Sequence, residues 1–149
     1  MGNFQALNTT YIKASFQPRY DADGTVWRQV YVKATATAKT PMQIQYDEFG
    51  PVAIALAGGS DYYYVGVPNA AAAIGDIVWL QTGGYCADVI TPSLSVSVGH
   101  AFGMTTGAIV DAGADYDGNA SEFAVCCTVS TTSTTQDMML VDRMILETA

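Results

Sequence analysis

The stretch from Val26 to Thr37 limits the possible folds more than any other. Val26, Arg28, Val30, Val32, Ala34 and Ala36 fall on one side of an extended chain; Trp27, Gln29, Tyr31, Lys33, Thr35 and Thr37 fall on the other. A period of two places alternate residues on opposite faces of a β-strand, whereas a helix would scatter this set around its axis. The residues are largely β-branched or aromatic, and no helix cap precedes them. The rest of the chain should therefore supply partner strands.

Those partners are legible as short runs between turn signals. Tyr11 to Tyr20 alternates unevenly and is interrupted at Pro18, and Asp21-Ala-Asp-Gly24 is a turn. Met42 to Tyr46 is a short strand, and the wholly apolar Val52 to Ala57 predicts a central one. Tyr62 to Ile90 reads as the organising centre: a strand, then an Ala-rich turn or helical stub at Asn69 to Ile74, then a β-hairpin turning at Thr82-Gly83-Gly84. On the first hairpin strand, Ile77, Trp79 and Gln81 share one face and Val78 and Leu80 the other, so it should be buried on both sides or face a neighbouring subunit. Thr91-Pro92 punctuates the chain before the alternating Leu94, Val96 and Val98. Ala108 to Val110 and Phe123 to Val129 are further strands, Ser130 to Thr135 a polar loop or hairpin tip, and Met138 to Leu146 a closing strand.

About ten short strands, with turn signals roughly every 8–12 residues, predict a mainly β protein, a β-sandwich or β-barrel. Residues 1–20 read as an extended N-terminal arm and residues 21–149 as a single β domain.

Charge separates a basic N-terminal segment from an acidic body. Residues 1–39 balance to +3, whereas residues 40–149 hold Arg143 alone against twelve carboxylates and balance to −11. The overall −8 argues against nucleic acid as a ligand. Only 13% of residues are charged, against about 25% in an ordinary soluble chain. With so many tyrosines, such a chain is expected to cover part of its exterior with partners. Met1 to Thr10 has no apolar signal core, and no stretch reaches the roughly 18 apolar residues of a bilayer span, so no membrane role is expected.

Few residues invite chemistry. Cys86, Cys126 and Cys127 read as small buried hydrophobes, and one histidine with no Cys-x-x-Cys pair leaves zinc without ligands. The acidic stretch Asp111 to Glu122 fails the EF-hand register; Asp115, Asp117 and Glu122 could form a looser oxygen site, but a solvated turn is the expectation. His100, between Gly99 and Gly103, has no local nucleophile and reads as a hydrogen-bonded loop histidine. The chain is expected to be no enzyme and to need no cofactor or metal.

The block Val65 to Ile90, with Gly75-Asp-x-Val78 and Gly83-Gly84, followed by Val98-Gly-x-Ala101 and Ala124-Val-Cys, resembles the small capsid decoration (cement) proteins of tailed bacteriophages. The resemblance spans about residues 28–147. It implies a β-barrel or sandwich, usually trimeric, seated on the outside of an icosahedral shell and clamping neighbouring subunits of the major capsid protein, after assembly in a host cytoplasm. The contact residues expected on this reading are Phe4, Arg19, Tyr20, Trp27, Arg28, Tyr62, Tyr63 and Tyr64. Two alternatives are another virion β module, such as a tail or head-fibre component, and a carbohydrate-binding module using the aromatic residues.

Overall fold

A computed structural model describes residues 17–48, 50–58, 62–105, 107–114, 121–128 and 130–145. Among them are ten strands and no helix: β1 (Arg19–Tyr20), β2 (Val26–Val32), β3 (Met42–Asp47), β4 (Gly50–Ala55), β5 (Tyr64–Pro68), β6 (Ile77–Val96), β7 (Ala101–Thr105), β8 (Ala108–Gly113), β9 (Glu122–Cys126) and β10 (Ser130–Leu140). The mainly β architecture is the one the alternation predicts.

Five strands close a small barrel in the order β2-β4-β3-β5-β6, with β6 returning to β2. Closure removes free edges from this ring. β2 and β4 run parallel, with Tyr31 opposite Val52 and Val32 opposite Ala53. The other ring pairings are antiparallel. Val30, Ala36, Met42, Ile44, Ala53 and Leu80 fill the barrel. Gly66 lets these side chains meet, because a Cβ there would lie 2.8 Å from Ile44 Cδ1 and 2.9 Å from Leu80 Cβ.

The second lobe is a sheet in the order β6-β10-β9-β7-β8. Its larger core includes Phe102, Met104, Phe123, Met138 and Ile145. β5 serves both lobes: Tyr63, just before it, and Val65 and Val67 face the larger core, while Tyr64 packs on the barrel core. Burial on two sides explains why this stretch is apolar on successive residues. Lys39 ties the lobes together at φ +64°. Its N–H donates to Pro68 O and its carbonyl accepts from Ile90 N, both at 2.8 Å.

The predicted hairpin at Thr82-Gly83-Gly84 does not form. β6 runs through it as one strand of 20 residues. It pairs with β2 as far as Gly83 and with β10 from Gly84 onward. The glycines are needed for close approach instead. A Cβ at Gly83 would lie 2.9 Å from Val26 Cγ2, and one at Gly84, where φ is +85°, would lie 2.7 Å from Gly24 O. Val26 faces Gly83 while Trp27 faces Gln81, so Thr82 is an extra residue, a bulge where the strand passes between lobes.

Two further expectations fail on the same strand pair. Thr91-Pro92 lies inside β6, where the register slips between Ile90 opposite Thr135 and Leu94 opposite Ser133. That irregularity accommodates a proline that cannot donate to the ladder. Ser130 to Thr135 is the first half of β10, because threonine's branched Cβ suits an extended chain as well as a loop. The closing strand also stops early, at Leu140; Ile145 returns only through an isolated bridge to Tyr63. No helical stub forms over Asn69 to Ile74: Ala72 makes an isolated bridge to Ala36, and a turn follows at Ala73 to Asp76, where Asp76 N–H donates to Ala73 O at 3.1 Å.

Candidate interaction surface

The outward face of the barrel wall is built from two strands in register. On β2, Trp27, Gln29 and Tyr31 point outward, because Val30 and Val32 between them are fully buried. On β6 the matching residues are Gln81 opposite Trp27, Trp79 opposite Gln29 and Ile77 opposite Tyr31. Trp79 keeps 36% of its surface exposed and Ile77 slightly more. The result is a face of two tryptophans, a tyrosine and an isoleucine, interleaved with Gln29 and the buried Gln81, on a closed barrel.

Arg19 lies across this stripe. β1 pairs with the start of β2, placing Arg19 opposite Trp27. Its guanidinium carbon sits 5.3 Å from the Trp27 ring centre and 4.8 Å from that of Trp79. Both distances are within the reach of cation–π attraction. Arg19 Nε also donates to Asp21 Oδ1 at 3.0 Å. Trp27 is anchored from below: its Nε1–H donates to Thr25 Oγ1 at 2.8 Å, and that hydroxyl donates to Asp23 Oδ1 at 2.6 Å. Bonds from the Thr25 hydroxyl, then from its N–H, hold the Asp23 carboxyl below the usual carboxylate range.

A second cluster occupies one end of the barrel. Arg28 makes a two-pronged contact with Asp142, Nε to Oδ1 and Nη2 to Oδ2, each at 2.9 Å. The hydrogen bond to Asp142 raises the guanidinium pKa further, against the opposing effect of burial. Its guanidinium carbon lies 4.8 Å from the centre of the Tyr64 ring. Burial pushes the Tyr46 phenol upward, although 56% of the residue is exposed; Tyr20 is 72% exposed.

The expected contact residues therefore divide. Arg19 and Trp27 lie on the wall; Arg28 and Tyr64 pack together beside Asp142, and Tyr20, opposite Val26, is exposed. Tyr62 is exposed just before β5. Tyr63 is unavailable to a partner: it is 1% exposed, lies in the larger core and exchanges backbone bonds of 3.1 and 2.6 Å with Ile145. Phe4 falls outside the described residues. Sequence reasoning did not name Trp79, Ile77, Tyr46 or Asp142 among the contact residues, although it expected the Ile77–Trp79 strand to be buried on both sides or to face a neighbouring subunit. Alternation places Trp79 opposite Leu80 in facing, but only the β2–β6 register sets it beside Gln29 and under Arg19.

The remaining titratable residues make local contacts. His100 Nδ1 is 3.0 Å from Asp111 Oδ2 and 3.1 Å from Oδ1, matching the expected hydrogen-bonded loop histidine. Asp115 and Asp117 fall outside the described residues, and Glu122 is buried at the start of β9. Among the described residues no three His, Cys, Asp or Glu side chains gather to hold a metal. Cys86, Cys126 and Cys127 are free thiols, each with its pKa raised chiefly by burial. Among the described residues no helix is long and apolar enough to cross a membrane.

No known family matches this sequence, and no curated protein matches it. Among solved structures, the chain is similar to the N base of the head fiber protein gp8.5 of bacteriophage phi29, with 14% identity and a TM-score of 0.49. The match covers 83% of this chain and 99% of that one. A likeness at this level carries no argument about function.

Proposed function

We propose that the chain is a structural component of a phage virion: a decoration protein that sits on the outside of the icosahedral shell and bridges subunits of the major capsid protein. On this reading it works by binding rather than catalysis, needs no cofactor, and acts as a homo-oligomer, a trimer being the form the sequence resemblance implies. It joins the virion after assembly in the host cytoplasm. Binding the assembled lattice and not dispersed subunits would stabilise the shell by mass action.

The observation that supports this most is the outward stripe of Trp27, Tyr31, Ile77 and Trp79 with Arg19 stacked across it. Tryptophan, tyrosine and arginine are the residues that dominate the energetics of protein contacts. Their position on a closed barrel matters, since the rings are not needed to fill the barrel: its core lies on the other face of the same strands. The low charge of the chain points the same way.

Sedimentation of the purified protein with shells of its parent phage tests the reading. Wild type should co-sediment at lattice-wide stoichiometry. Trp79→Lys should weaken binding by about 2 kcal/mol or more, roughly thirtyfold, with an unchanged melting profile. Occupancy at a few sparse positions would instead favour a head-fibre or tail role. Failure of the wild type to bind any virion part would remove the proposal.

A further inference from the structure

The barrel wall has hydrogen-bond donors to spare. Arg19 directs Nε and Nη2 at the two Asp21 oxygens, at 3.0 and 3.3 Å. A guanidinium carries five N–H groups, and Arg19 makes no further hydrogen bond among the described residues. Three N–H groups are therefore unused while the guanidinium lies near both tryptophan rings. Trp79 is alike: beyond the Arg19 stack its indole N–H has no acceptor among the described residues, and the ring is partly open. Trp27 differs, because Thr25 Oγ1 takes its indole N–H. Gln81 is buried and gives its amide N–H groups to Gly83 O and Tyr85 O. Local charge is nearly balanced. Arg19 pairs with Asp21, and Asp23, whose carboxylate is held by Thr25, leaves a surplus of one negative charge.

We propose that the wall takes a proline-rich segment of its partner in the polyproline II conformation. Proline presents a carbonyl acceptor and no N–H. In that helix the carbonyls make no internal bonds, so they can accept from Trp79 Nε1–H and the unused Arg19 N–H groups. Pyrrolidine rings then pack on Trp79 and Ile77. Proline-rich segments dock on aromatic-lined surfaces in this way, and their preformed helix loses little entropy on binding. Other ligands fit less well. A β-strand brings an N–H with every carbonyl and would set donors against donors. An anion meets the surplus of Asp21 and Asp23, and a cation brings still more donors. The proposal rests on the wall being the contact surface and adds the chemistry of what meets it.

The chain has two tryptophans and both lie on this wall, so their fluorescence and indole N–H signals report on it alone. The test is titration of the full chain with three capped peptides of equal length: decaproline, an alternating Thr-Val strand former and an Asp-rich peptide. Decaproline should bind saturably, move the Trp79 indole signal more than that of Trp27, and bind equally well from low salt to about 0.5 M. Trp79→Phe keeps a ring and loses the N–H; Arg19→Met keeps the stem and loses the donors. Each should weaken decaproline about three- to tenfold. Trp79→Ala should weaken it further, and Met139→Ala, exposed on the second sheet, should change nothing. Backbone spectra of each variant show that the fold survives. Absence of saturable decaproline binding overturns the proposal, as does tighter binding of either other peptide, or Trp79→Phe binding decaproline as wild type does. Sedimentation with shells is read separately. Shell binding without decaproline binding removes only the proline-rich assignment; decaproline binding without shell binding removes the virion role and supports the assignment.

Discussion

The barrel and the second sheet share one long strand but divide the work between them. The barrel core is small and made of medium or small side chains: Val30, Ala36, Met42, Ile44, Ala53 and Leu80. Its large aromatic residues, Trp27 and Trp79, point outward, and Tyr20 and Tyr46 are exposed. The second sheet buries Phe102 and Phe123, and leaves Tyr85 half-exposed on the part of β6 that pairs with β10. Aromatic burial contributes most to stability where rings are enclosed, and most to recognition where they are left uncovered. The second sheet thus reads as the anchor and the barrel as the presenting lobe. β6 joins them through the bulge at Thr82 and the two glycines that follow.

That contrast can be broken first in the cores. Phe123→Ala should cost about 3–5 kcal/mol and Leu80→Ala less, toward the low end of about 2–5 kcal/mol, both measured by urea unfolding. A larger loss at Leu80 would reverse the ranking of the lobes. The junction comes next. Gly84→Ala forces a side chain into φ +85° and against Gly24 O, and should cost about 2–3 kcal/mol. A neutral result would mean that the bend does not depend on this glycine.

Asp142→Ala should destabilise by about 2 kcal/mol, because it leaves the Arg28 guanidinium largely covered without its carboxylate. A double-mutant cycle with Arg28→Met should recover most of the coupling between them. The smallest effect belongs to Asp23. Its folded pKa is lowered by the Thr25 hydroxyl and N–H, so its contribution is present above the unfolded value of about 4 and is lost as pH falls through the lower folded value. Asp23→Asn should therefore lower stability slightly at neutral pH, change nothing below the folded value, and so flatten the acid limb in that window.

The sequence made the barrel's inward faces readable and left the outward ones ambiguous. Alternation from Val26 located β2, and the apolar run at Val52 located the strand that sits between β2 and β3. Gly83-Gly84 misled because glycine serves a hairpin turn and a close strand crossing equally well; only the position of Val26 and Gly24 separates the two. Ser130 to Thr135 misled because a polar composition does not exclude a partner strand, and this segment pairs with β6. Arg19 and Trp27 were legible as contact candidates, but Trp79 joins them through a register between residues about fifty positions apart, which alternation does not encode. Tyr63 was misplaced because three successive tyrosines must alternate faces, and the buried face is set by the second lobe.

Hydrogen–deuterium exchange on this chain, free and after incubation with phage shells, tests the proposed shell contact most directly. The account predicts that binding protects amides of residues 26–31 and 77–83, which carry the aromatic stripe, and leaves residues 101–113 of the second sheet unchanged. Protection confined to the second sheet, with the barrel wall still exchanging as in the free protein, would contradict it.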